Sequence, residues 1–401
     1  MKKTDVLVIG GGVIGLNLAL AYKARFPRES VTLIEKEKRF AAHASGRNSG
    51  VLHAGFYYSN DSLKARFTRE GNEHLTNYCI ERGLRINRCG KLVVTQNEQE
   101  IDTLHELLKR GKKSGVTMHA ITEREAREIE PRVKTIDEAI FSPTTSSVDP
   151  REVMATMVED AKAMGIVFET ETAYLGRNGQ TVRTSKGDFS PGYVINAAGL
   201  YADKVARDFG FSKDYRILPF KGLYLYSDEP AGAIRAHIYP VPDLRNPFLG
   251  VHFTLTADNH IKVGPTAIPA FWREHYGGLD NFDAAELLEI VIRELGLLWK
   301  NEFGFRKLAA SELMKYYKPR MARLAASLLH GVEPGAYTRW GAPGIRAQLF
   351  DIKNQRLEQD FRYEGDGFSF HVLNAVSPAF TCSIPFTRYL IDQIEVARGD
   401  H

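Results

Sequence analysis

Six residues near the start of the chain, Gly10-Gly11-Gly12-Val13-Ile14-Gly15, constrain its fold more than any other stretch. They follow a β-branched strand, Val6 to Ile9, and lead into a segment of helical composition, Leu16 to Arg25. A second strand, Val31 to Ile34, ends in Glu35, twenty residues beyond the third glycine. This is the GxGxxG pattern of a dinucleotide-binding βαβ unit, with its acid in register. Gly10 allows the tight turn, Gly12 lets the backbone approach a pyrophosphate, and Gly15 lets the helix pack on the strand. The first helical amides, at Val13 and Ile14, face the phosphates. Glu35 accepts hydrogen bonds from the ribose hydroxyls, and Lys36 follows it at the edge of the same site.

Lys2 and Lys3 before an apolar run imitate a secretory signal. The run is short for a membrane span and is interrupted by four glycines and Asn17. A signal peptide also leaves Glu35 without a role, so the nucleotide-binding reading is preferred. The chain has 401 residues, which suggests two or three domains and a core large enough to need no disulfide or metal staple. Its three cysteines, Cys79, Cys89 and Cys382, form no CxxC pair and point to a reduced, cytoplasmic protein. A net charge of +4, from 53 basic and 49 acidic residues, argues against a nucleic-acid partner. No His/Asp/Glu spacing makes a convincing metal site.

Beyond Glu35 the pattern predicts helices over Ser62–Arg82, Glu98–Lys113, Asp149–Met164, Ala284–Trp299 and Ser311–His330, the last interrupted by Pro319. Strands are expected at Gly90–Thr95, Ile166–Glu169, Ala173–Gly176, Thr181–Ser185, Tyr193–Ala197 and Phe368–Leu373, with Asn178-Gly179 as a hairpin turn. The alternating, aromatic stretch from Leu218 to Pro265 reads as a larger antiparallel sheet, and a terminal helix begins near Ser383. The expected class is α/β, α+β over the whole chain. A Rossmann-type FAD-binding domain would be built from 1–85, 145–217 and 335–401. An antiparallel-sheet substrate domain, 86–144 and 218–334, would be inserted into it.

An NAD enzyme would continue with a second nucleotide-binding half, but the chain leaves that pattern after Glu35. Ala42 to Gly55 is instead a loop of small and hydrogen-bonding residues, suited to run along a large planar cofactor, which favours FAD. The fingerprint, the SGRNSGVLHAG segment at 45–55 and VINAAG at 194–199 together resemble the D-amino-acid oxidase superfamily of flavoproteins. Within it the chain looks most like the L-2-hydroxyglutarate dehydrogenases and oxidases. The matches are Asn48 to Tyr58, Ile238 to Asp243, Phe248 to Thr254, Gly344 to Gln348 and His371 to Asn374. The resemblance implies FAD, oxidation of a 2-hydroxy acid at its α-carbon, and a quinone or O2 as electron acceptor. It departs from the family pattern at Val376 and Phe380 and over Leu313 to Arg339, near the expected substrate or flavin edge.

Such an oxidation requires a held carboxylate, a base for the hydroxyl proton and an α-hydrogen aimed at the flavin. Arg346, on an apparent strand after Gly344-Ile345, is the expected carboxylate fork and resembles the carboxylate-binding arginine of D-amino-acid oxidases. Lys221 is a candidate for a second carboxylate. His252 or His53 is the expected base, unresolved between them, and related flavoproteins suggest covalent flavin attachment as a further reading of His53. Tyr57, Tyr58 and Tyr239 are expected as an aromatic wall with phenolic donors. Lys262 occupies a strand-then-glycine setting like that of the oxygen-activating lysine in related amine oxidases. It supports the alternative of amine or D-amino-acid oxidation on the same scaffold.

Ser45, Arg47, Asn48, Ser49, Gly50 and Val51 are expected along the cofactor. Asn196, Ala197, Ala198 and Gly199 are expected at its phosphates or ribose, and Asn374, Ser377 and Ala379 at its pyrimidine edge, with His371 structural nearby. The basic, apolar segment from Lys307 to Leu324 raises peripheral contact with a membrane.

Overall fold

A computed structural model describes residues 1–244, 250–300 and 305–399. Phe248 and Leu249, part of one motif quoted above, lie outside the described residues. The N-terminal unit forms as its residue pattern requires. Strand β1 (Lys2–Ile9) runs into helix α1 (Val13–Arg25), and strand β2 (Val31–Ile34) returns parallel to β1, with Val6 opposite Val31. The strand Phe189–Asn196 pairs parallel on the other side of β1, and Ser369–Asn374 adds beyond it. Val167–Glu169 extends the sheet beside β2, also parallel. The carboxyl ends of these five strands therefore open on one edge, the usual ligand edge of a parallel sheet. The apolar face of α1 packs with Pro150–Ala163 and Ala379–Arg398 on one side of the sheet, burying Leu16, Met157 and Phe386. The opposite face buries Leu7, Val182 and Val205 under the Tyr174–Asn178/Thr181–Thr184 hairpin and the helix Ala202–Asp208.

Helix starts follow their caps. Ser62 accepts the Ala65 amide before Leu63–Glu81, and Asp149 accepts the Arg151 amide before Pro150–Ala163. Three expectations are corrected. Ser311–His330 is two helices, Phe305–Leu313 and Lys318–Ala326, because Pro319 takes a first-turn position and starts the second. The terminal helix begins at Ala379, four residues early, and carries Pro385 within it. The loop after Ala42 also contains a 3-10 turn, Ala44–Gly46, and a short strand, Val51–Leu52.

The second sheet has eight strands, in the order Tyr337–Trp340, Leu225–Ser227, Ile261–Gly264, His252–Leu255, His237–Pro240, Lys91–Val94, Glu138–Ser142, His119–Thr122. It is antiparallel except for one parallel pair, His237–Pro240 with Lys91–Val94. Side chains alternate between its faces. Leu92, Ile238, Phe253, Leu255 and Val263 form a core with Met321 and Ala325 of the helix behind. The alternate positions, Lys91, His237, Tyr239, His252, Thr254 and Lys262, give the other face a buried polar and basic character. A smaller sheet pairs Tyr215–Gly222 with Gly344–Asp351, placing Phe220 opposite Arg346 and Lys221 opposite Ile345. Among the described residues no helix is long and apolar enough to cross a membrane.

Candidate active site

A cavity of about 740 Å³ runs from the carboxyl edge of the parallel sheet to the smaller sheet, at Gly222 and Gly344 to Ala347. At one end lie Gly10, Gly12, Val13 and Ile14, with Glu35 and Lys36 from the end of β2. Gly10 has φ +108°, and a Cβ there would stand 2.5 Å from the Ala197 carbonyl oxygen. Gly15 lies behind the wall, where a Cβ would meet the Gly10 oxygen at 1.9 Å, so it serves helix packing, as its spacing implied. Ser45, from the following loop, reaches the start of α1 and accepts the Val13 amide at 2.8 Å. Glu35 accepts the Gly11 amide at 2.7 Å on one oxygen and the Glu37 amide at 2.9 Å on the other. Its carboxylate is thereby fixed with acceptor capacity to spare for ribose hydroxyls.

Lys36 sits on the rim and bridges the carboxylates of Glu37 and Glu274. Burial disfavours its charge, but the two carboxylates outweigh this and raise its pKa. Together with His43 those two acids form a cluster whose donor atoms lie within 4.8 Å of one another, and the Lys36 ammonium is seated against it.

The loop after Glu35 holds its shape through its own polar groups. Asn48 donates to the Ser45 carbonyl and accepts the Gly50 amide, each at 2.8 Å. Arg47 donates to the Ala42 carbonyl at 2.7 Å and lies 4.2 Å over the Tyr276 ring. Arg47, Asn48, Ser49, Val51 and His53 line the cavity, as do Ala197, Ala198 and Gly199. At the far side are Ser377, Ala379, Phe380 and Thr381, at the amino end of the terminal helix. Unpaired amides and the dipole of a helix start favour negative charge there.

The other end of the cavity is bounded by His53, Tyr224, Gly222 and Arg346. Tyr224 stands beside Ser49 and Arg346. Arg346 donates to the Thr266 carbonyl at 3.0 Å, and burial lowers its pKa from the usual arginine range. Burial, then the charge of Lys91, pushes the His53 imidazole down to about 3, so it is neutral at physiological pH. His53 nevertheless keeps accessible surface toward the cavity.

Several expected contacts are not on the wall. Asn374 accepts the Leu349 amide and donates to the carbonyls of Glu358 and Asp360, so its amide ties strands together instead of facing the cavity. Asn196 donates to the Ala202 carbonyl and meets His371, which is buried between Phe209 and Phe211. A Cβ on Gly50 would stand 2.3 Å from the Val148 carbonyl, so this glycine serves a close crossing of strands. Lys221 occupies the face of its sheet opposite Arg346.

His252 stacks on Tyr239 at 3.7 Å and hydrogen-bonds the Gly250 carbonyl, behind His53 from the cavity's side. Lys262 donates to the Ser49 carbonyl at 2.9 Å under the Tyr224 ring, pinning the loop. Tyr58 faces Lys64, and Tyr57 faces Lys91. Tyr224, Lys91 and Thr381 were not singled out from the sequence. A lysine at the inward position of the apolar strand Lys91–Val94 was the one signal available for them.

The glycine cradle, the anchored Glu35 and the helix start at the far side fit an elongated dinucleotide, while the far wall presents a neutral imidazole and a guanidinium. These features define a flavin-dependent oxidoreductase. The chain belongs to the family of FAD dependent oxidoreductases, whose model matches residues 5–329. It is 34% identical to a bovine mitochondrial L-2-hydroxyglutarate dehydrogenase over 98% of this chain and 88% of that one. An L-2-hydroxyglutarate dehydrogenase of Indibacter alkaliphilus is 36% identical over 95% and 96%. In fold it is similar to an L-α-glycerophosphate oxidase from Mycoplasma pneumoniae solved with FAD bound, with a TM-score of 0.75, 21% identity and 98% and 95% of the two chains covered. A glycine oxidase from Geobacillus kaustophilus follows at 0.72, 19% identity and the same coverage.

Proposed function

We propose that this FAD enzyme oxidises L-2-hydroxyglutarate to 2-oxoglutarate. The observation that carries the reading is that Arg346 and His53 line one and the same cavity as the glycine cradle. It is supported by relatives of that activity aligned over nearly the whole chain. The segments 1–85, 145–217 and 335–401 would hold the cofactor, and 86–144 with 218–334 would supply most of the substrate end.

Arg346 binds the C1 carboxylate through its planar fork and orients C2. His53, kept neutral, accepts the hydroxyl proton as the C–O bond gains double-bond character. Bound FAD supplies the two-electron acceptor for the C2 hydrogen. Lys262 and Tyr224 hold the Ser49 stretch of the loop in place. His252 orders the wall behind His53 through Tyr239 and the Gly250 carbonyl.

Electrons pass onward to a quinone or to O2. Contact with a membrane, which favours the quinone, is supported by the helix Ala284–Lys300. Its exposed Leu288, Ile292, Leu295 and Trp299 recur at helical spacing on one face. The exposed Met314 and Tyr317 and the basic Lys307 and Lys318 lie in the segment that follows. Vesicle flotation with anionic lipid tests this: Leu288→Glu with Trp299→Glu should abolish co-flotation, and unchanged binding rejects it.

The function itself is tested by anaerobic bleaching of the flavin absorbance. L-2-hydroxyglutarate would be compared with its D-enantiomer, L-lactate, glycerol 3-phosphate and a D-amino-acid mixture. Rapid bleaching by L-2-hydroxyglutarate alone is expected. Bleaching by an amine instead overturns the reading.

A further inference from the structure

Lys91 opens its strand on the polar face of the large sheet and is fully buried. Its Nζ has no hydrogen-bond partner. Three rings enclose it: Phe56 at 4.4 Å, Tyr57 at 4.5 Å and Tyr239 at 5.0 Å from Nζ to centroid. Cation–π contact offsets only part of the cost of a desolvated ammonium. The Tyr57 hydroxyl is buried and unpartnered too, and the Tyr239 hydroxyl faces Thr254 without closing a hydrogen bond.

The titratable groups packed around this point come from four elements. They are His53 and Tyr57 from the loop, His237 and Tyr239 from the neighbouring strand, His252 beyond it, and Lys262 one strand further. None of them is a carboxylate, and burial alone pushes Lys91 down, to about 7. Native folds rarely leave buried donors idle. Here an ammonium and two phenols are idle together, directly behind the histidine that lines the cavity.

We propose that Lys91 receives the second carboxylate of a dicarboxylic substrate, with the Tyr57 and Tyr239 hydroxyls as further donors. It is thereby the residue that selects 2-hydroxydicarboxylic over 2-hydroxymonocarboxylic acids. The inference rests on the reading of Arg346 and His53 given above for the first carboxylate and the hydroxyl. Those two residues act on the part common to all 2-hydroxy acids, and Lys91 acts on the part that distinguishes them.

The test uses the holoenzyme with L-2-hydroxyglutarate and with L-2-hydroxyvalerate, which carries a methyl group where the distal carboxylate would be. Lys91→Met should raise KM for the first on the order of 100-fold and leave the second little changed. Its thermal stability should not fall, because methionine removes an unpaired buried charge. Equal losses on both substrates overturn the proposal.

Equilibrium dialysis with glutarate and valerate gives a readout without turnover. The wild type should prefer glutarate, and Lys91→Met and Tyr57→Phe should each weaken that preference. If the wild type binds valerate as tightly as glutarate, the proposal fails. If it oxidises no 2-hydroxy acid yet prefers glutarate through Lys91, the proposed function fails and the Lys91 site stands.

Discussion

The two ends of the cavity are built on opposite terms. At the glycine-rich end, polar groups are committed within the chain: Glu35 to the amides of Gly11 and Glu37, Ser45 to Val13, Asn48 to Ser45 and Gly50. At the far end only His53 reaches the cavity; behind it Lys91 and Tyr57 have no hydrogen-bond partner, and His53, His237 and His252 are held neutral by burial. The first region is a rigid cradle that stays with its cofactor. The second keeps hydrogen-bonding capacity in reserve for a molecule that comes and goes, at a cost to the stability of the empty protein.

The strongest way to break this contrast is at the cradle. Gly10→Val forces a side chain into the Ala197 carbonyl at a left-handed φ, and the purified protein should carry no flavin, as its absorbance spectrum will show. At the other end, His53→Gln should retain flavin while kcat/KM falls by roughly 10²–10⁴, the usual worth of a general base. Arg346→Met should cost on the order of 100-fold, mainly in KM, and Arg346→Lys should restore little of it, because a point charge does not replace a fork.

The pH dependence sharpens the comparison. With folded pKa values depressed to about 3 from 6.5, His53 and His237 bind more protons in the unfolded chain. Stability should therefore be full above pH 6.5 and decline as pH falls toward 3, which urea titrations at several pH values will show. In the free enzyme Lys91 loses its proton near pH 7, so glutarate should bind more weakly above that pH while valerate binding stays level. The smallest effect belongs to Asn374→Ala. It should lower unfolding stability by about 1–3 kcal/mol through the unpaired Glu358 and Asp360 loop carbonyls, with KM unchanged.

The cradle was legible because its residues are neighbours in sequence and each is demanded by local geometry. The roles of Gly10, Gly12, Gly15 and Glu35 follow from backbone approach alone. Arg346 could be chosen because a planar fork on an apparent strand after Gly344-Ile345 suits a carboxylate, and because the stretch resembles that of the carboxylate-binding arginine of D-amino-acid oxidases. Asn374 misled for the opposite reason. Its composition suits a cofactor edge, but three backbone groups from other segments claim its side chain first. Lys221 and Arg346 both sit on strands of one sheet, and only the register shows that they face opposite ways.

The sequence by itself determined the βαβ unit and favoured FAD, because short-range spacing and the strand and helix periods are properties of the chain alone; the kind of chemistry came from the resemblance of its motifs to a flavoprotein family. Only the tertiary structure decided which histidine reaches the cavity, His53, and which stands behind it, His252. It also decided that Lys91 and Tyr57, 34 residues apart in the chain, pack against each other in the interior. Those outcomes depend on strand register and on which face of a sheet meets which loop, and these are set by long-range packing.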